Sequence, residues 1–476
     1  MASEIRVDKI NSLSGVGTVT LSPTGVDISG ITTAATLKAT TGIVTTLTAT
    51  TGIVTTLTTN TLTANSTTKV GSGVTLSPDG DIFVTGVTTS TTVQVGGGVT
   101  ISESGIEASG IGITCANING NQIGGRRNFV INGEARVAQR GTITDHGTTA
   151  KYTAVDRFKT RIGSSYNFDV TSSQSTDAPV GFSNSLKLSP DSTSTPPDTD
   201  NGAFCTILEG SDLQGFEFGT SSAKPMTLSF YAKSGSAGAG TYSIDMHYIV
   251  DGGLAKQQTR AFTITSSWQR FIFTFEANGT ATSEAIRNTT SEGLRIIWHL
   301  ASGPDDKTSA ITTWTATGSM KTITGMDNFM SSTSNEFYIT GVQLEIGSHA
   351  TAFEHRTLGD ELSLCQRYCR VLTASDATTA YFAPAYLYTN TSVRSVIVLN
   401  PEMRTTPTIV CTSATNNYRF YRNGTYDGLD DFLISSSSKR CAHIYNSTDI
   451  SGTAGQAGSL YIASSSTGFI SLEAEL

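Results

Sequence analysis

The amino-acid sequence predicts an all-β protein that forms an elongated homotrimer. A ten-residue unit is repeated back to back near the N-terminus, and charged residues make up only 15% of the chain. Many short segments also alternate apolar and polar residues, which is typical of strands. We expect an intertwined β-shaft, a β-sandwich of the jelly-roll kind, a short helix and a β-rich tip. The expected boundaries are 1–15 for an attachment segment, 16–127 for the shaft and neck, 128–356 for the sandwich, 357–371 for the helix and 372–476 for the tip.

The shaft is predicted from repeats that cannot fold alone. The unit ATTGIVTTLT fills residues 39–48 and again 49–58, and it has too little apolar surface to offset its conformational entropy. A looser unit starts at Val19, Val74 and Val99, and its alternation and turn residues predict strand, turn and strand. Winding three chains around one axis would hide the strand edges. The alternative is a flexible Ser/Thr/Gly linker.

The sandwich is predicted from strand patterns separated by turn residues over about 230 residues, a length that a single sandwich domain can have. The four clearest strand patterns are residues 204–210, 226–234, 268–275 and 336–345. Trp268 begins a pattern whose alternate residues are apolar, so we expect its ring in the sandwich core.

A helix is predicted after the sandwich because acidic residues Asp360 and Glu361 fall in its first turn, where they complement the helix dipole. Its apolar stripe is expected at Leu358, Leu362, Cys365 and Tyr368 or Cys369. Three such helices could pack around the fibre axis, or each could pack on its own sandwich. Cys365 and Cys369 lack enough neighbouring ligands for a metal, so we expect buried reduced thiols.

The tip is predicted from strand patterns joined by loops that are rich in aromatic and polar residues. Aromatic rings can stack on the C–H faces of sugars, while carboxylates and amides can bind sugar hydroxyls. The candidate glycan-binding residues are Tyr388, Tyr418, Tyr421, Tyr426, Asp427, Asp430 and Asp431. The alternative is that most of these rings pack in the core or between subunits.

Charge and motifs argue against several classes of function. The formal net charge of −8 disfavours binding to nucleic acid, and no apolar run is long enough to span a membrane. The N-terminal residues do not form a secretory signal. Close acids such as Asp305 and Asp306, or Asp427, Asp430 and Asp431, could serve a glycosidase, but no flanking motif singles them out. We therefore predict no enzyme activity, no cofactor and no metal.

Three ordered segments carry a resemblance to a known family. They are NFVINGEARVAQRGT with YTAVDRF (128–158), LEGSDLQGFEFGTSSAKPMTLSFYAKS (208–234) and YITGVQLEIGSHATAFEHRTLGDELSLCQRYC (338–369). They resemble phage tail-fibre proteins with a carbohydrate-binding-module-like jelly roll, and the N-terminal repeats resemble tail fibres of phages that infect marine cyanobacteria. The sequence departs from this family at Tyr231, where relatives often carry Trp, and at Cys369, where they often carry a second Tyr.

The resemblance implies a homotrimeric fibre of the virion that is made in the host cytoplasm. Residues 1–15 would attach to the phage tail or an adaptor protein, and the tip would adsorb to a host-surface glycan such as lipopolysaccharide. It implies neither membrane insertion nor nucleic acid as a partner. A purely structural or decoration fibre is the runner-up, and a glycan-degrading tail enzyme comes after it.

Overall fold

The protein forms two compact units, Met1–Gly112 and Ile113–Leu476, which are described separately. The structure is a computed structural model. It describes residues 9–11, 18–23, 25–29, 68–70, 74–76, 82–84, 92–95, 99–102, 105–108, 126–162, 166–250, 255–279, 281–373, 381–463 and 468–476.

The described part of the first unit consists of three antiparallel sheets of three strands each. Their strands are β1 Lys9–Asn11, β2 Thr18–Ser22, β3 Gly25–Ser29, β4 Thr68–Val70, β5 Val74–Leu76, β6 Ile82–Val84, β7 Thr92–Val95, β8 Val99–Ser102 and β9 Gly105–Ala108. The last two strands of each sheet fall in one copy of the looser repeat and pair with each other, as its alternation predicts; most of the residues between them lie outside the described part of the chain. The ten-residue repeat at 39–58 lies outside the described residues, and the winding of three chains stays a prediction.

Two antiparallel sheets in the second unit pack face to face as a β-sandwich. Its strands are β10 Phe158–Ile162, β11 Val170–Ser175, β12 Ser185–Pro190, β13 Asn201–Glu209, β14 Met226–Ser234, β15 Gly240–Ile249, β16 Ala255–Ile264, β17 Gln269–Phe275, β18 Glu292–Ser302, β20 Thr315–Ala316 and β22 Phe337–Ile346. Between them in the chain, β19 Lys307–Thr308 and β21 Thr322–Ile323 form a separate parallel pair. One sheet has the order β10-β13-β18-β15-β16-β20 and the other β11-β12-β22-β14-β17. Short 3-10 helices lie at Gly210–Phe216, Thr282–Glu284, Pro304–Asp306 and Phe329–Ser331. The predicted all-β class with a sandwich is confirmed.

The sandwich core is built around Trp298. Its ring is fully buried and stacks on Phe204 with the ring centroids 5.1 Å apart, and Phe230 meets it edge-on at 5.7 Å. The prediction for Trp268 is wrong. Its ring is only half-buried on the outside of the sheet, where the indole N–H donates to Asp177 at 3.0 Å.

The predicted helix is present as α1 Leu358–Gln366. It begins where the Thr357 hydroxyl accepts the Asp360 N–H, which is an N-cap that satisfies a free donor of the first turn. Leu358 is half exposed, so its place in the buried stripe is wrong. The buried side chains are Glu361 and Cys365. The Glu361 carboxylate accepts the N–H of Asn132, so the helix packs on the start of its own sandwich.

The C-terminal part consists of a seven-stranded and a three-stranded sheet that share one hydrophobic core. Its strands are β23 Cys369–Val371, β24 Tyr381–Thr389, β25 Ser392–Val398, β26 Thr408–Cys411, β27 Tyr418–Arg422, β28 Thr425–Leu429, β29 Leu433–Ser438, β30 Cys441–Asn446, β31 Ala457–Ile462 and β32 Ile470–Glu473. The larger sheet has the order β28-β27-β31-β24-β25-β30-β29, and the smaller one β23-β32-β26.

Ionic contacts join the C-terminal part to the sandwich. Arg157 lies in the turn directly before β10, and its guanidinium pairs with the carboxylate of Glu475. Arg140 donates to Glu475 at 2.8 Å and to Glu473 at 3.3 Å. The backbone N–H of Ala474 donates to the carbonyl of Tyr368 at 2.7 Å. The two parts are therefore packed against each other along β32.

The buried His146 is expected to make the protein less stable in acid. Its ring nitrogens lie 3.0 Å from the hydroxyls of Thr160 and Ser172, and burial, helped by Lys151, lowers the pKa of His146 from 6.5 to about 4. In the unfolded chain this histidine is protonated below about pH 6.5, whereas in the folded chain it stays neutral down to about pH 4. The free energy of unfolding therefore decreases by up to ~3 kcal/mol as the pH falls from about 6.5 to about 4.

Urea unfolding between pH 7 and pH 4 measures this loss. We expect His146→Gln to flatten the pH dependence, whereas the exposed His349→Gln keeps it. An equally steep pH dependence in His146→Gln contradicts the assignment.

Candidate functional site

The outer side of the seven-stranded sheet carries a row of exposed tyrosines, which we call the tyrosine face: Tyr381, Tyr386, Tyr388, Tyr421 and Tyr426. Each is 41–59% exposed. Side chains along a strand alternate between the two sides of a sheet. In β24 the alternate residues Ala383, Ala385 and Leu387 are buried, which turns Tyr386 and Tyr388 toward the opposite side. Tyr381 lies beyond a register shift between Tyr381 and Ala383, so it is not bound by the same alternation.

The strand register brings these rings together. Tyr421 lies directly opposite Tyr426 across β27 and β28, and Tyr386 lies opposite Arg394 across β24 and β25. The strands β28, β27, β31 and β24 are neighbours, so the face extends across three strand spacings, roughly 14 Å. That is about the length of a short oligosaccharide.

Two arginines supply hydrogen-bond donors between the rings. The guanidinium carbon of Arg394 lies 3.7 Å from the centroid of the Tyr388 ring, and that of Arg419 lies 4.0 Å from the centroid of the Tyr426 ring. Each guanidinium therefore lies over its ring in a cation–π contact. The face therefore combines flat aromatic surface with planar donors, and both are suited to the C–H and hydroxyl groups of a sugar.

The predicted residue Tyr418 does not lie on this face. Its ring is fully buried, and its hydroxyl donates to the carbonyl of Phe469 at 2.9 Å. Tyr418 and Tyr421 are an odd number of residues apart in β27, so they point to opposite sides of the sheet. Tyr418 is a core residue.

The three predicted aspartates are not brought beside the exposed rings. Asp427 lies opposite the buried Phe420, and its carboxylate accepts from Arg422 at 2.6 Å. Asp430 accepts the backbone N–H of Asn416 at 2.8 Å, and Asp431 accepts from the hydroxyl of Ser413 at 3.2 Å. These carboxylates make hydrogen bonds within and between strands and loops. The side chains that contact exposed tyrosine rings are therefore arginines and not the predicted acids.

Of the two candidate acids in the sandwich, the Asp306 carboxylate is also held by structural contacts, whereas the Asp305 side chain is exposed. Asp306 is buried at the end of a short 3-10 helix, where it accepts from Asn201 and from Lys321, both at 3.2 Å. Its neighbour Asp305 donates its backbone N–H to the carbonyl of Asp198 at 2.9 Å.

A separate patch of aliphatic side chains, which we call the aliphatic edge, lies on the same side of the sheet: Val396, Val398 and Leu433. Each is more than half exposed. Val396 and Val398 lie opposite His443 and Cys441 of β30. Aliphatic side chains offer no ring for stacking, so this patch is suited to a protein rather than to a sugar.

Sequence reasoning missed Arg394 and Arg419, and it left Tyr381 and Tyr386 out of the chosen set. The residues 386 and 388 are both Tyr and are two apart in a strand pattern. That spacing puts them on one side of a strand, so it was the available signal. The two arginines had no such signal, because each contacts a tyrosine on a neighbouring strand and not on its own strand.

Within the described residues, no group of three or more His, Cys, Asp or Glu side chains is placed to hold a metal ion. The same residues contain no helix that is long and apolar enough to cross a membrane. Cys365 and Cys369 are free and buried, as predicted, and Cys205 is also free and buried.

Comparison with known proteins gives matches in structure alone. No protein-family model and no curated protein matches this sequence. The enzymatically active domain of tailspike protein 4 from bacteriophage CBA120 matches with a TM-score of 0.24 and 13% identity over 46% of this chain and 21% of that chain. The family 11 carbohydrate-binding module from Clostridium thermocellum matches with a TM-score of 0.23 and 13% identity over 42% and 91% of the two chains.

A third match is the N-terminal CBM22-1-CBM22-2 tandem domain of Xyn10C from Paenibacillus barcinonensis, with a TM-score of 0.25 and 8% identity over 76% of this chain and 100% of that chain. The solved structures similar to this chain thus include a phage tailspike domain and carbohydrate-binding modules.

Proposed function

We propose that this protein is a fibre of a phage virion and that it binds host-surface glycan through the tyrosine face. The observation that carries the proposal is the set of five half-exposed tyrosines on one side of one sheet, with Arg394 and Arg419 beside them. Exposed aromatic surface of this extent marks an interaction site. Sugars fit it because their C–H faces stack on rings while their hydroxyls accept from guanidinium groups.

The character of the face favours binding over catalysis. It is part of an open sheet, and the candidate acids Asp427, Asp430 and Asp431 are engaged by Arg422, Asn416 and Ser413. A glycosidase needs a pair of free carboxylates flanking the sugar bond. We therefore propose a lectin-like role without hydrolysis.

The proposed fibre is a homotrimer that attaches to the tail or an adaptor through residues 1–15. The Thr-rich repeats at 39–48 and 49–58 support it, since they have little apolar surface of their own and need stacked copies. Three copies would also raise the effective concentration of weak sugar sites. The host surface polysaccharide, such as lipopolysaccharide, would then be bound by avidity.

Removal of two rings from the tyrosine face is expected to weaken glycan binding. Tyr421 and Tyr426 lie opposite each other, so Tyr421→Ala with Tyr426→Ala removes one complete stacking pair. At ~0.5–1.5 kcal/mol per ring contact beyond area burial, loss of both rings removes ~1–3 kcal/mol, so the affinity for host cells and purified surface polysaccharide should fall by about fivefold to 150-fold. The control, Tyr421→Phe with Tyr426→Phe, keeps both rings and should bind within about threefold.

The assay should use the full chain, since β32 packs against the sandwich. Unchanged binding by a well-folded double alanine variant would contradict the proposal.

The second candidate function is that of a structural or decoration fibre without a receptor. The aliphatic edge at Val396, Val398 and Leu433 favours this candidate. A trimeric wild-type chain that binds no host glycan would support that candidate.

A further inference from the structure

The strands of the larger sheet leave only positive charge on the tyrosine face. These seven strands contain three arginines, Arg394, Arg419 and Arg422, and a single acidic residue, Asp427. Asp427 lies opposite the buried Phe420, which places it on the other side of the sheet, and it accepts from Arg422 at 2.6 Å. Arg394 and Arg419 therefore remain as the charges of the face, although the chain has a formal net charge of −8.

These two guanidinium groups are not compensated. Among the described residues, no ion pair and no hydrogen bond engages Arg394 or Arg419. Each lies over a ring instead, 3.7 Å from the centroid of Tyr388 or 4.0 Å from that of Tyr426. The Nε atom of each arginine is buried without a partner, so a ligand reaches the two terminal nitrogens. Their N–H groups form a planar pair that matches two oxygens of a carboxylate or phosphate.

Neutral aromatic surface separates the two charges. Arg419 is on β27 and Arg394 on β25, which are three strand spacings apart, roughly 14 Å. The strand β24 lies between them in the sheet and carries the exposed Tyr381 and Tyr386. A ligand that contacts both arginines must therefore carry anionic groups at intervals along a chain, and the parts between them must be able to stack on rings.

Two other classes of anion fit this pattern less well. A single small anion would contact one arginine and would leave the aromatic surface unused. A nucleic acid carries a charge on every residue, and its binding depends on many phosphate contacts, whereas this face offers two arginines on an acidic chain. A sparsely charged chain of sugars matches both the distance between the arginines and the rings between them.

We propose that the ligand of the tyrosine face is an acidic polysaccharide, whose repeating unit carries a carboxylate or a phosphate. Its anionic groups would accept from the terminal nitrogens of Arg394 and Arg419, while the C–H faces of its neutral parts would stack on the tyrosine rings. This inference rests on the proposed function, because it names the class of glycan for the same face.

The test is calorimetric titration of the full chain with two pairs of probes that differ only in charge. Trigalacturonic acid is compared with its fully methyl-esterified form, and mannotriose 6-phosphate with mannotriose. We expect at least one charged probe to bind saturably and at least about tenfold more tightly than its neutral counterpart. The preference should weaken as ionic strength rises, and the two pairs distinguish a carboxylate from a phosphate.

Charge and geometry of the arginines are separated by variants. Arg394→Gln with Arg419→Gln should abolish the preference for the charged probe. Arg394→Lys with Arg419→Lys keeps the charges without the planar pair of donors, so its preference should be intermediate. Lys224→Gln with Arg440→Gln removes the same charge from exposed surface pairs and should bind as the wild type does. Circular dichroism and thermal unfolding would verify that each variant folds.

Several results would overturn this inference. They are absence of binding of both charged probes, equal binding of the charged and neutral probes, an unchanged preference in the folded double glutamine variant, and equally tight binding of an oligothymidylate. Equal binding of charged and neutral probes that is lost in Tyr421→Ala with Tyr426→Ala would overturn the charge preference alone and would leave the proposed glycan binding in place. The two failures are thus measured separately.

Discussion

Replacement of Arg157 with methionine is expected to lower the free energy of unfolding by about 3–5 kcal/mol, which is the cost of breaking a buried ion pair by removing one partner. The Arg157 guanidinium is almost fully buried and donates to the carbonyl of Ile207 at 2.7 Å. Its central carbon lies 3.5 Å from the centroid of the Tyr368 ring, and it also pairs with Glu475. Methionine would fill part of the volume but would leave these acceptors without their donor.

The cost is expected to be large because Arg157 joins three segments that are distant in sequence. Ile207 belongs to the sandwich, Tyr368 follows α1, and Glu475 follows β32. Urea unfolding should show the midpoint falling at an unchanged slope if all three segments still unfold together. A smaller slope would show that the C-terminal part separates from the sandwich first.

A matched control is available on the surface. Arg440 pairs with Glu402 at 3.0 Å, and its side chain is 81% exposed. Exposed pairs of this kind contribute roughly 0–1 kcal/mol, so Arg440→Met should leave the unfolding midpoint almost unchanged. Equal shifts for the two variants would contradict a special role for the buried Arg157 contacts.

The strands were predictable because alternation is a local signal. The patterns at 226–234 and 336–345 become β14 Met226–Ser234 and β22 Phe337–Ile346, and the helix pattern becomes α1 Leu358–Gln366. In each case the residues that determine the element lie within it. The domain boundaries of the sequence analysis and its trimeric shaft stay predictions.

Which side of a strand is buried was less predictable, because it depends on packing partners elsewhere in the chain. A shift of one residue reverses which side of a strand is buried, and this distinguishes the buried Tyr418 from the exposed Tyr421. The residue type alone does not tell which of the two tyrosines is buried. The contacts of Arg140 and Arg157 with Glu475 join residues more than 300 positions apart, and no local pattern marks such pairs.

Trp298→Ala is expected to destabilise the protein by about 3–5 kcal/mol, the usual cost of removing a buried aromatic side chain and leaving a cavity. Trp298 is fully buried, stacks on Phe204 and meets Phe230 edge-on. Phe158, at the start of β10, lies 6.2 Å from it between ring centroids. One truncation therefore removes contacts with several aromatic rings of the sandwich core.

Two further variants test whether the loss of stability comes from the missing aromatic ring in the core. Trp298→Phe keeps a ring at that position, and Trp268→Ala removes a tryptophan outside the core. The indole N–H of Trp298 has no hydrogen-bond partner among the described residues. Phenylalanine removes this unsatisfied donor, which partly offsets the smaller ring, so Trp298→Phe should cost much less than Trp298→Ala. Trp268 is only half-buried outside the core, so its truncation should cost about 1 kcal/mol or less.

Chemical unfolding, with near-ultraviolet circular dichroism as a probe of aromatic packing, measures all three variants. An effect of Trp268→Ala as large as that of Trp298→Ala would mean that the core centre lies elsewhere. If the expected order holds, the stability of the sandwich resides around Trp298, far in the fold from the tyrosine face. Substitution of rings such as Tyr421 and Tyr426 should then cost little stability, because they are half exposed and outside the hydrophobic core.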